Sequence, residues 1–115
     1  MILYYEDVEL DKLSMTDLEL RVFSCICERS STLHTLLVKD LNELVHSLKD
    51  IADDRTVRKA LASLTAKGAL FRRTTMSATC YLHPNPYVCW KGPLRNRDYQ
   101  RDVWDVLKQF RAKTK

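Results

Sequence analysis

Turn formers are scarce, with two glycines and three prolines among 115 residues. So few exclude a turn-rich sandwich or barrel, and an apolar content of 45% excludes a disordered chain. No apolar run approaches the ~20 residues needed to span a bilayer. The opening stretch Met1–Asp7 lacks the basic and apolar regions of a secretion signal, so the expectation is a cytoplasmic protein with no membrane partner. Catalytic signatures are also missing. There is no glycine-rich phosphate loop and no His-x-x-x-His, and His34, His46 and His83 are scattered. Neither an enzyme nor a cofactor is expected.

The cysteines are few and badly placed for metal. Cys25 and Cys27 fall in a helical pattern, where side chains two residues apart diverge by about 200°. Cys80 and Cys89 flank the Pro84-Asn85-Pro86 turn. A zinc site wants a close pair on a turn, so apolar packing of reduced thiols is the reading and no metal is expected.

Charge is plentiful but unevenly spread. Residues 1–54 carry 5 Lys/Arg against 12 Asp/Glu, whereas residues 55–115 carry 14 against 3. Balances of −7 and +11 point to a second half that faces a polyanion.

Periodicity divides the chain into one domain over 1–115, with a core and hairpin over 14–92 and a C-terminal helix over 93–115. Thr16–Arg29 reads as a helix capped at Ser14 or Thr16 and apolar on two sides, central to the core or to a dimer interface. Leu37, Leu41, Leu44 and Leu48 recur at helical spacing and predict a second helix over Leu36–Leu48. Asp53 or Asp54 caps a third helix, Arg55–Lys67, with Val57, Ala60, Leu61 and Leu64 inward and Gly68 as its stop. A hairpin follows, with strands Leu70–Thr74 and Thr79–His83 and a tip at Thr75–Ala78. Tyr87, Val88 and Trp90 are placed to lock the hairpin to the core. A last helix is predicted from Asp98, with Tyr99, Val103, Val106, Leu107 and Phe110 apolar. Met1–Tyr5 is β-prone, a short strand or an arm. The fold class is thus mainly α with a small β-hairpin (α+β).

Helix, helix, helix, hairpin is the order of a winged helix-turn-helix, here with an extra C-terminal helix. In that motif the third helix enters the major groove and the hairpin reaches the flanking backbone. Arg55, Thr56, Arg58, Lys59, Ser63 and Lys67 are the candidate DNA contacts on the helix, because Arg and Lys donate to guanine or phosphate and hydroxyls bond either. Arg72, Arg73, Thr74, Thr75 and Ser77 are the candidates on the hairpin. Strand alternation forbids Arg72 and Arg73 from both facing DNA, and Arg73, nearer the tip, is favoured.

The segment from Thr56 through Lys67-Gly68 to Arg72-Arg73 resembles winged-helix regulators of the MarR or ArsR kind. Asn85-Pro86 and Trp90-Lys91-Gly92 are similar to the ending of RepL-type plasmid replication proteins. The resemblance covers about residues 53–92, and it implies origin recognition or transcriptional control on a mobile element. The expected partner is double-stranded DNA, met as a homodimer, with the last helix packing on a second copy or on its own first helix. A replication initiator and a protein–protein adaptor are the alternatives to a transcriptional regulator.

Overall fold

Thr16 closes the first helix, α1 (Asp17–Arg29), with a capping box. Its hydroxyl accepts from the Glu19 backbone N–H at 3.1 Å, and its own N–H donates to Glu19 Oε1 at 2.8 Å. Val22, Phe23, Ile26 and Cys27 turn into the interior, while Leu20 lies at the surface. The helix therefore buries one broad face rather than two sides.

The computed structural model describes residues 3–5, 12–30, 36–38, 41–74, 80–91 and 94–113. Its elements are β1 (Leu3–Tyr5), α1, β2 (Leu36–Val38), α2 (Leu41–Ser47), α3 (Asp54–Ala66), β3 (Leu70–Thr74), β4 (Cys80–Pro84), β5 (Cys89–Lys91) and α4 (Leu94–Lys113). This is a mainly helical α+β fold. None of its described helices is long and apolar enough to cross a membrane.

The expected second helix is divided. Leu36–Val38 is a strand, and only Leu41–Ser47 is helical. Leu41, Leu44 and Leu48 keep the core-facing stripe, but Leu37 pairs with Tyr81 of β4. Long-range pairing overrides local periodicity here, because β4 would otherwise present a row of unpaired backbone groups. The result is a three-stranded antiparallel sheet in the order β2-β4-β3. A separate ribbon joins β1 to β5, with Leu3 opposite Lys91.

The core lies between α1, α2, α3 and one face of the sheet. Val57, Ala60 and Leu64 of α3 meet Leu44 and Val45 of α2, the α1 residues, and Leu70, Cys80 and Leu82 of the sheet. Asp53 caps α3 by accepting from the Thr56 N–H at 2.8 Å. The helix stops in a left-handed turn. Gly68 has φ +85°, Ala69 N–H donates to Leu64 O at 2.9 Å, and Gly68 N–H donates to Thr65 O at 3.2 Å.

Asn85 then fastens the hairpin to that turn. Its backbone N–H reaches Ala69 O at 2.8 Å, and its Nδ2 reaches Gly68 O at 2.9 Å. Its Oδ1 accepts from Tyr87 N–H at 2.9 Å, and Trp90 lies 2% exposed beyond it.

The last helix begins at Leu94, four residues before the expected Asp98. Pro93 in the sequence suits the entry to a helix, since its missing N–H is one the first turn leaves unpaired anyway. This helix packs on the outer face of the hairpin. Trp104 meets Phe71 edge-on at 6.4 Å, Arg101 Nε donates to Pro86 O at 3.1 Å, and Tyr87 donates its hydroxyl to Asp105 at 2.7 Å.

Candidate nucleic-acid interface

Successive helical residues turn by about 100°, and this divides α3 into four faces. Val57, Ala60 and Leu64 point inward and are buried. Arg55, Arg58, Lys59, Ala62 and Ala66 are all exposed and fall within an arc of about 100° on the opposite side. Thr56, Ser63 and Lys67 form one flank, and Leu61 and Thr65 form the other.

The first flank is occupied from within the fold. Lys67 Nζ donates to Glu19 Oε1 at 2.6 Å and to Ser14 O at 2.9 Å. Ser63 also bonds the Glu19 carboxylate. Burial alone would push that carboxyl up, but the bonds from Lys67, Ser63 and Thr16 outweigh it and hold the pKa at about 2. The Thr56 hydroxyl and N–H hold the Asp53 carboxyl below its usual range. Of the expected DNA contacts, Thr56, Ser63 and Lys67 have polar atoms engaged within the fold, in the cap and the α1–α3 seam.

On the other flank Arg58 lies beside Asn42 of α2, its Nη2 donating to Asn42 Oδ1. Between α3 and the hairpin runs a cleft of about 450 Å³, floored by Leu61, Leu70 and Leu82, with Ala62 and Ala66 along its edge. Arg58 and Arg72 are the two charged residues among its lining. Lys59 and Arg72 make no hydrogen bond or ion pair among the described residues. Arg55 acts on the Asp53 carboxylate only through its charge.

Register decides between the two hairpin arginines. Arg72 stands opposite Leu82, so it belongs to the face that carries the buried Leu70, Cys80 and Pro84 and turns toward α3. Arg73 stands opposite Tyr81 and lies over its ring at 4.5 Å, on the face that carries Phe71 and His83 and turns toward α4. Arg72 is thus the arginine beside α3, while Arg73, the one expected to be favoured, lies on the α4 side. Thr74 ends β3, and Thr75 and Ser77 lie outside the described residues.

The chain matches no protein-family model, no curated protein and no solved structure.

What the site can do follows from its own residues. Cations and small side chains on one strip offer donors and close approach. Two contributors escaped sequence reasoning. Asn42, which holds Arg58, gave no signal. Glu19, which takes Lys67, was legible only as the fourth residue of the Thr16-x-x-Glu19 capping box. Among the described residues, no group of three His, Cys, Asp or Glu side chains is placed to hold a metal.

Proposed function

We propose that this chain is a winged-helix protein that binds double-stranded DNA sequence-specifically and regulates transcription by occupying its site. One observation carries the reading. A strand between α1 and α2 joins the hairpin in a β2-β4-β3 sheet, which brings Arg72 to the same side as the exposed strip of α3. In the winged-helix arrangement that side is where a duplex lies, with α3 in the major groove and β3–β4 as the wing. The strip supplies Arg55, Arg58 and Lys59, and its alanines leave room for the bases.

Of the residues behind the resemblance to RepL-type proteins, Asn85 fastens the hairpin and Trp90 is buried in β5. That likeness therefore speaks for shared architecture. Origin binding differs from operator binding in its partners rather than in its DNA contacts, and it is the second reading. We further propose a homodimer through α4. Tyr99 and Val106 stand 65% and 61% exposed, seven residues apart on one side of that helix. A two-fold pair would read half-sites about one turn, ~34 Å, apart.

Duplex binding measured by fluorescence anisotropy across a salt series tests the reading. About four phosphate contacts give a log–log slope near −3.5. Changing Arg55, Arg58 and Lys59 together to Ala lowers affinity by about a hundredfold or more. A flat salt dependence, or full binding by the triple variant, overturns it and leaves the adaptor reading. Sedimentation of the wild type and of Val106→Glu tests the dimer.

A further inference from the structure

The strip on α3 is chemically graded along its length. Its first half carries Arg55, Arg58 and Lys59, and its second half carries Ala62 and Ala66, all of them exposed. A patch that only gripped phosphates would carry cations throughout. Alanine methyls at the surface of a groove-facing helix instead match the one apolar group on the major-groove edge, the thymine 5-methyl.

Arg58 differs from its neighbours. Asn42 takes one of its terminal nitrogens, and the rest of the guanidinium fork stays available. A side chain held on one edge loses little freedom when the other edge binds, and the planar fork matches guanine O6 and N7. Arg55 and Lys59 have no such tether among the described residues and suit phosphates.

Spacing converts this order into a pattern. At 1.5 Å of rise per residue, Ala62 lies about 6 Å and Ala66 about 12 Å beyond Arg58 along the helix axis. Base pairs stack every ~3.4 Å along the duplex axis, and a helix in the groove runs inclined to that axis, so these offsets are at most about two and about four base pairs.

We infer that α3 reads an asymmetric half-site in which a guanine under Arg58 is followed, within about two and within about four base pairs, by thymine methyls under Ala62 and Ala66. The inference rests on the proposed DNA binding and adds what is read. Asn42 is a positioning residue in it.

The full chain is used to select duplexes from a random pool, and the selected duplex is then altered one atom group at a time. Deoxyuridine in place of thymine removes only the methyl. At two positions it lowers affinity about fourfold each, and elsewhere it has no effect. The 7-deaza analogue of guanine, placed at one position, lowers affinity about tenfold. Arg58→Ala loses that response while keeping the uridine response, and Asn42→Ala weakens discrimination at the guanine more than overall affinity. Selected sites without this spacing, or uridine tolerated at every position, overturn the inference while duplex binding stands. Absence of duplex binding removes the proposed function and the inference together.

Discussion

Lys59 and Lys67 sit two turns apart on the same helix and have opposite surroundings. Lys59 is exposed and makes no hydrogen bond or ion pair among the described residues. Lys67 is threaded into a seam with Glu19, a carboxylate left only 5% exposed. Arg72 and Arg73 repeat the contrast on the hairpin, one open toward α3 and the other laid over Tyr81. A count of basic residues therefore overstates the surface open to an anion. What separates the two kinds is whether the fold already supplies a partner.

The largest effect is expected where the seam is opened. Glu19→Ala removes the partner of Lys67 and half of the capping box, and should cost about 3 kcal/mol in urea unfolding. Lys59→Ala should change stability by less than about 0.5 kcal/mol and weaken duplex binding about fivefold. Equal stability losses would erase the distinction. Next come the paired arginines. Arg72→Ala should lower duplex affinity about tenfold, whereas Arg73→Ala should leave it within about twofold and cost about 0.5–1 kcal/mol of stability. The reverse order would show the opposite face of the hairpin to be the one in use.

Acid titration sharpens the same comparison. Burial, and then the charge of Arg73, lower the His83 pKa from 6.5 to about 4. The unfolded chain takes up that proton first, so stability present above pH 6.5 is lost as pH falls toward 4. Glu19, at about 2 against an ordinary 4.5, adds a second loss as pH falls from 4.5 toward 2. His83→Gln should flatten the upper stage and Glu19→Gln the lower, followed by circular dichroism of urea melts across pH. The smallest effect on DNA affinity belongs to Gly68→Ala. A side chain at φ +85° is strained even though no atom lies within 4 Å of the new methyl, and the cost is about 1 kcal/mol with DNA affinity unchanged.

The sequence made α3 legible nearly to the residue, because Asp53 and Gly68 mark its ends by local chemistry. The hairpin strands were legible for the same reason. Strand β2 was not. Leu36–Val38 fits a helical stripe as well as a strand, and only β4, more than forty residues on, decides between them. The site was half legible. Alternation showed that Arg72 and Arg73 must differ, but which one turns toward α3 depends on the register with Leu82 and Tyr81. Lys67 and Glu19 stand 48 residues apart, a separation that leaves no local trace.

The ribbon that pairs Leu3 with Lys91 also fixes an order of events during synthesis. At about 5–20 residues per second, β1 waits roughly 4–18 s for its mate to be made. Within that interval α1, α2, α3 and the three-stranded sheet gain most of their partners, Cys89 of the core excepted. Residues 3–5 thus act as a late clasp, closing on Cys89–Lys91 only after α3 and the hairpin have been made.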